Sequence, residues 1–329
     1  MPVYPEASTS TAESASFAAG LLITDAWQVE LRSTLFGACD VDAAYPVVQF
    51  LDGFGIPDTR NDDVPIPQDF GMVASPQFLD GRTMSIGIAV TGSTEQEVVE
   101  RSADLMRAWS PIRNYQDGDV IIPLCFSLDG STVYRVWGKP LRAEMGYGLL
   151  LRTRSAYSPF NDFAQCEFLA TDPRIYSNDI HAVAVAAGVT TGGFPVAAGF
   201  PFAFPQGFGA SNPSTVTANN AGNFPVYPVL TVQAVGAALI NQPITITNNT
   251  TGLSLTVYAQ VTGGNYLEID INKRTILLNG DPTQTRMSTY DFKNSDWWAL
   301  EPGDNVISWV VGSGSNGTLT VSHRDAWMI

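Results

Sequence analysis

The chain has 329 residues, 45% of them hydrophobic, with 17 Lys or Arg against 32 Asp or Glu, a formal net charge of −15. Its length predicts two domains, each with enough apolar side chain for its own core. So acidic a chain lacks the basic surface that grips nucleic acid, is too apolar for overall disorder, and has no apolar run long enough to span a membrane.

The charge is uneven. Residues 1–179 hold 24 acidic and 12 basic side chains, residues 180–267 hold none, and residues 268–329 hold 8 acidic and 5 basic. Residues 1–22 are mostly small and polar and predict a flexible arm, without the basic and apolar regions of a secretory signal. Trp27, Val29 and Leu31 alternate with polar residues, the period of a half-buried strand. From Phe36 to Pro76 the chain is punctuated by Gly53, Gly55, Pro57, Pro65, Pro67 and Gly71 and reads as loop. The acids in that stretch (Asp58, Asp62, Asp63, Asp69) lack the order and glycine of a calcium loop and predict a solvated surface.

Met84, Ile86, Ile88 and Val90 form the clearest strand of the first half. A helix follows over about 93–109. Ser93 with Gln96, or Thr94 with Glu97, makes a capping box, and Val98, Val99, Ser102, Leu105, Met106 and Trp109 share one face. Ser110-Pro111 ends it. Further strands are predicted at Val120–Phe126, Val133–Trp137, Leu149–Arg154 and Phe163–Leu169, giving an α+β half dominated by an antiparallel sheet.

After Asp179 the texture changes to Ala and Val, then to Phe194-Pro195, Phe200-Pro201 and Phe204-Pro205, with Phe208 and Phe224-Pro225 beyond. Proline excludes an interior strand or a helix there, and the Phe rings predict an extended segment lying against protein. Seven strands follow: Val229–Val232, Ile244–Thr247, Leu253–Tyr258, Tyr266–Ile271, Thr275–Leu278, Val306–Val311 and Leu319–Ser322. With turns at Asn279-Gly280 and Pro302-Gly303, they predict a β-sandwich.

Little of this is chemistry. The two histidines, His181 and His323, are the only bases available to a Ser-His-Asp arrangement, and both read as surface or hydrogen-bonded imidazoles. Gly312-Ser313-Gly314-Ser315-Asn316-Gly317 matches a dinucleotide fingerprint in letters but lies between two strands, so it reads as a hairpin loop. Trp297-Trp298 offers a sugar-stacking surface or, the favoured reading, a core plug. Cys39, Cys125 and Cys166 match no zinc or redox spacing and read as buried thiols of a protein made in a reducing cytoplasm. No catalytic residue, cofactor or metal site is expected.

The second half nevertheless resembles a known family. Its residues are the Phe-Pro segment from Gly193 to Gly209, then Ala221-Gly222-Asn223, Pro225 and Asn241-Gln242-Pro243-Ile244. Next come Ile246-Thr247-Asn248, Thr251-Gly252, Leu267-Glu268-Ile269-Asp270, Arg274-Thr275 and Leu278-Asn279-Gly280. Trp297 to Asn305 and His323-Arg324-Asp325-Ala326-Trp327 complete the series. In that order they resemble the distal tail proteins of long-tailed bacteriophages, often called minor tail proteins in phages of actinobacteria. In the first half, Leu51-Asp52-Gly53, Pro57, Arg60, Phe78-Leu79-Asp80-Gly81-Arg82, the capped helix and Asp172-Pro173-Arg174-Ile175-Tyr176 are similar to the family's ring-forming domain.

The resemblance implies a mainly β protein. An α+β belt domain with one helix spans 23–180, a Phe-Pro-rich connector spans 181–223, and a galectin-like β-sandwich spans 224–329. It implies a structural virion component at the tail tip. That component is a hexameric ring of identical copies joining the tail tube to the tail-tip hub, in contact with the tape measure protein and with fibres or receptor-binding proteins. DNA would pass transiently through its lumen, which the acidic belt would suit. The competing reading is a tail module that binds host-surface glycan, with Trp298 or a nearby tyrosine stacking on sugar.

Overall fold

The computed structural model describes residues 19–37, 44–45, 48–66, 70, 72–112, 121–145, 163–187 and 214–328. They divide into two units. Described residues up to Asp179, together with Trp327 and Met328, form the N-terminal unit, and Ile180–Ala326 the C-terminal unit.

In the N-terminal unit, β1 (Gln28–Leu31), β2 (Thr34–Phe36) and β3 (Val48–Asp52) precede four two-residue strands. These are β4 (Thr59–Arg60), β5 (Val64–Pro65), β6 (Met72–Val73) and β7 (Phe78–Leu79). Then come β8 (Arg82–Ala89), α1 (Glu95–Ala108), β9 (Ile122–Ser127), β10 (Val133–Glu144), β11 (Phe163–Ala170) and β12 (Ile175–Ser177). The main sheet runs β2-β1-β9-β10-β11-β8-β3, antiparallel throughout, with β12 paired to β10. The expected alternation holds on β8, where Met84, Ile86 and Ile88 are wholly buried, with Ile86 opposite Cys166 and Ile88 opposite Ala164. Their neighbours in the core include Leu31, Phe36, Phe126, Phe168 and Trp109. Each such side chain contributes about 1.5–3 kcal/mol by leaving water.

Helix α1 is capped by Thr94, whose Oγ1 accepts from the Glu97 N–H at 3.2 Å. The Glu97 carboxylate reaches one residue further back than a standard capping box, accepting from the Ser93 N–H at 2.6 Å and its hydroxyl at 2.5 Å. Its buried stripe is Val98, Ser102, Leu105 and Ala108, continued by Trp109, whose indole N–H donates to the Glu167 carbonyl at 3.0 Å. Val99, expected on this face, is 49% exposed, because the stripe turns past it to Ala108. The helix end is pinned where Trp109 meets Phe36 edge-on, ring centroids 5.9 Å apart. The predicted strand Leu149–Arg154 lies outside the described residues, as does most of the N-terminal arm.

The C-terminal unit contains every one of the seven predicted strands and four more. These extra strands are β13 (His181–Ala186), β14 (Ser214–Asn220), β16 (Leu239–Ile240) and β19 (Val261–Thr262). The predicted ones are β15 (Val229–Ala234), β17 (Ile244–Asn248), β18 (Leu253–Val257), β20 (Tyr266–Asp270), β21 (Thr275–Leu278), β22 (Gly303–Val310) and β23 (Gly317–His323). One sheet runs β13-β23-β15-β20-β21, the other β14-β22-β17-β18. The first buries Leu230, Ile269, Ile276 and Val321 in one cross-strand row. The second buries Ile246, Leu255 and Trp309 in another. One apolar face per sheet is the pattern of a β-sandwich. At both ends of the expected connector the structure differs from the expectation, since 181–186 and 214–220 are strands. They lie at the ends of the two sheets, where one-sided burial lets Ala, Thr and Asn serve and leaves little apolar signal. The Phe-Pro series between them lies outside the described residues.

Candidate functional site

Between β3 and β8 the chain leaves the main sheet and returns, forming an arm. Its framework is slight: β4 pairs with β7 and β5 with β6, two residues in each strand. Hairpins so short are not stable by themselves. Polar groups tie the turn region together. Asp63 accepts from the Ser75 N–H at 2.7 Å and from the Asn61 amide at 2.8 Å, while the Ser75 hydroxyl oxygen accepts from the Asp62 N–H at 2.8 Å. A cavity of about 420 Å³ opens beside them, lined by Arg60, Asn61, Asp62, Ser75, Pro76 and Phe78.

The apolar side chains of the arm face water. Ile56 is 81% exposed, Phe70 99% and Phe78 58%, with Val64, Met72 and Val73 also exposed. So many large apolar groups within 23 residues of one loop-like element, from Ile56 to Phe78, mark a protein interaction surface. The main sheet also ends on both sides among the described residues, at β2 and at β3, leaving backbone donors and acceptors at its edges.

The root of the arm is built from three of the motifs that carry the family resemblance. The buried Arg82 donates from Nη1 to the Gly53 carbonyl at 2.8 Å and from Nε to the Pro173 carbonyl at 3.1 Å. Burial lowers the Arg82 pKa, and the nearby Asp172 carboxylate counters it. Asp172 is itself held by the Arg174 guanidinium, at 3.0 and 2.9 Å, and by the Tyr176 hydroxyl at 2.6 Å. The residues Leu51-Asp52-Gly53, Phe78 to Arg82, and Asp172 to Tyr176 thus meet at one guanidinium, which sets where the arm departs. Met328 Sδ accepts from Arg82 Nη2 at 3.4 Å, and the Trp327 ring meets Tyr134 edge-on at 5.4 Å, so the C-terminal residues brace the same unit.

The remaining candidates have structural settings. His181 and His323 sit opposite each other on β13 and β23 with ring centroids 5.7 Å apart, and both approach Asp325. Among the described residues the polar contacts of the two rings are Asp325 and, for His323, the Asn219 carbonyl. Trp298 is 1% exposed and cannot stack on a sugar, which corrects its place in the glycan reading. Trp297 is half-buried and lies flat on Tyr290, with ring centroids 4.8 Å apart and planes 13° apart.

The Gly312–Gly317 run has a strand on either side, as expected, but it is not a hairpin: it leads from β22 in one sheet to β23 in the other. Asn241 holds it, donating from its side chain to the Ser313 carbonyl at 2.9 Å. A Cβ on Gly312 would stand 2.4 Å from the Gln242 carbonyl, so glycine is a packing requirement at that position. Cys125 and Cys166 are buried thiols, and burial pushes the Cys166 thiol up to about 12. Cys39 and Asp69 lie outside the described residues. Sequence reasoning missed the arm because its apolar residues are separated by Pro, Gly and Asp. The signal was the exposed-loop composition combined with Ile56, Phe70, Met72 and Phe78.

Residues 221–327 match the family model described as siphovirus-type tail component, C-terminal domain. All but the last residue of that match falls in the C-terminal unit. A search of curated proteins finds no match. Among solved structures, the crystal structure of the SPP1 Dit (gp 19.1) protein is described as a paradigm of the hub adsorption apparatus in Gram-positive-infecting phages. It aligns over 90% of this chain and 98% of its own, with 14% identity and a TM-score of 0.57. The phage P2 baseplate in its activated conformation with Ca aligns over 84% of this chain and 90% of its own, with 9% identity and a TM-score of 0.41. Over most of its length the chain therefore shares the fold of the SPP1 Dit protein. The mainly β architecture and the identity of the C-terminal domain agree with the resemblance carried by the residues.

Proposed function

We propose that this chain is a distal tail protein of a long-tailed phage, a structural and non-catalytic part of the tail tip. Copies of it assemble into a closed ring that joins the tail tube to the tail-tip hub. The exposed apolar arm of residues 54–79 is the observation that carries this reading. An exposed apolar arm docking on a different surface of the next copy makes a heterologous contact, and such contacts generate rings when the rotation closes. Six copies is the stoichiometry the family resemblance implies. The N-terminal unit makes the ring, and the C-terminal sandwich offers its surface to fibres or receptor-binding proteins. Tube, hub and tape measure proteins are the neighbours along the tail axis.

The acidic excess of residues 1–179 suits a bore through which DNA slides, because like charge keeps the phosphates from sticking. Light scattering on the purified protein, alone and with tail tube protein, tests the ring. A mass of several chains that falls to one chain in an Ile56→Ser/Phe78→Ser variant with unchanged melting supports it. A wild-type chain that stays monomeric with tube protein present contradicts it.

A further inference from the structure

Outside the arm, three strand ends meet in the C-terminal unit. β13 begins there with His181, β23 ends there with His323, and β14 of the other sheet ends beside them. His323 is 1% exposed, and its Nε2 lies 2.9 Å from the carbonyl oxygen of Asn219 on β14. A carbonyl only accepts, so Nε2 must carry the proton, and Nδ1 is then a bare lone pair. Nδ1 is buried and has no hydrogen-bond partner among the described residues. In the neutral ring that is tolerable. In the cationic ring it becomes a buried N–H with nothing to receive it.

The charged groups around the ring can be named element by element. From β13, His181 Nε2 lies 3.2 Å from Asp325 Oδ2. From the turn after β23, Asp325 Oδ1 stands 3.6 Å from His323 Nε2, beyond hydrogen-bond reach, and accepts the Ala221 N–H at 3.0 Å. Arg324 lies beside it in the chain. From β22, Asp304 accepts the Asn219 side-chain amide at 2.7 Å. Asp325 thus faces both imidazoles and the Ala221 N–H, while His323 Nε2 reaches across to the Asn219 carbonyl of the other sheet.

We propose that His181, Asp325 and His323 form an acid-sensitive clasp that closes the β13/β14 edge of the sandwich when His323 is neutral and loosens it when His323 is protonated. Burial lowers the His323 pKa below the ordinary imidazole value of 6.5, with His181 adding to the effect and the Asn219 carbonyl and Asp325 opposing it. The opened edge returns the ring to water and to that ordinary value. The clasp is therefore fully closed above pH 6.5 and weakens as pH falls below it, by about tenfold in the opening equilibrium per pH unit until the closed-state pKa is reached.

The chain has only two histidines, so two imidazole signals describe the system. Nitrogen-detected NMR of the full chain should give His323 as the Nε2–H tautomer at pH 7.5, titrating below 6.5. Amide exchange, corrected for its intrinsic pH dependence, should show the opening equilibrium of Ala221 and β13 rising along that tenfold-per-unit line between pH 6.5 and the His323 midpoint. His323→Gln keeps an N–H for the Asn219 carbonyl and cannot titrate, so it should flatten the dependence, while His181→Asn should leave it in place. If His323→Gln does not fold, the wild-type tautomer and midpoint decide alone. An Nδ1–H tautomer, a midpoint at or above 6.5, opening that ignores pH, or a slope that survives His323→Gln would each overturn the clasp.

Discussion

Replacing Gly222 by alanine adds one methyl group where the backbone already stands. Its Cβ would lie 1.8 Å from the carbonyl oxygen of Ala326, 2.5 Å from its carbon and 2.8 Å from its nitrogen. Ordinary van der Waals contact begins at about 3.4 Å, so one of two chain segments must retreat by more than an ångström. Three hydrogen bonds hold these segments together, and a fourth orders the turn at Gly222. Asn220 Oδ1 accepts from the Gly222 N–H at 3.1 Å and from the Ala326 N–H at 3.3 Å. The Phe224 N–H donates to Ala326 at 3.1 Å, and the Ala221 N–H to Asp325 at 3.0 Å. Losing three of these at about 1 kcal/mol each costs about 3 kcal/mol. For a unit of this size that lowers its melting transition by about 10 °C. Gly252→Ala is the control, because its φ of 74° strains any side chain but no atom lies within 4 Å of the added Cβ. It should cost about 1 kcal/mol, through the backbone alone. Calorimetry of both variants gives the comparison. A Gly222→Ala protein that melts within 2–3 °C of wild type would refute the close-approach argument.

Arg82→Met removes the guanidinium that ties Gly53 to Pro173 while keeping most of its volume, and should free the arm root at a cost of about 2–3 kcal/mol. Amide exchange over residues 54–80 should accelerate at least tenfold while α1 is unaffected, and equal acceleration of both would deny the root a local role. Ending the chain at Ala326 removes the Trp327 ring from Tyr134, which should lower the melting of the N-terminal unit by several degrees in calorimetry. Cys166, with its thiol pushed up to about 12, should stay unmodified by a thiol reagent at pH 8 until denaturant is added, as peptide mass mapping would show. Rapid labelling at pH 8 of the native chain would contradict the burial that raises it.

The period-two patterns survived well into the structure. Met84, Ile86 and Ile88 read correctly because β8 is paired on both sides and its neighbours on β11 are small or apolar. The C-terminal strands read correctly because one face of each sheet is buried and turns such as Asn279-Gly280, with φ of 56° and 67°, mark their ends. The helix was legible, with Thr94 one of the two caps its sequence offers, but Val99 was misplaced because a Ser at 102 blurs the apolar stripe. β13 and β14 were missed for a different reason. Edge strands need no apolar alternation, and Ala-Val-Ala-Val-Ala beside a Phe-Pro series resembles a tether.

The site was legible only in pieces. Gly53, Arg82 and Asp172 to Tyr176 stood out as motifs, yet nothing in their spacing brings them to one guanidinium. The pairing of His181 with His323 depends on a register across 141 intervening positions in the sequence, and no local pattern encodes it. The exposure of Phe70 and Phe78 is a tertiary fact too, since an apolar residue in a loop reads equally as core or surface.

The central claim is that this tail component closes into a ring through its arm. Electron cryo-microscopy of the protein, alone or bound to tail tube protein, tests it most directly. The account predicts a closed ring in which residues 56–78 of each copy are buried against the next copy, around a bore lined by acidic side chains. A ring whose subunit contacts leave that arm in solvent, or particles containing a single chain, would contradict it.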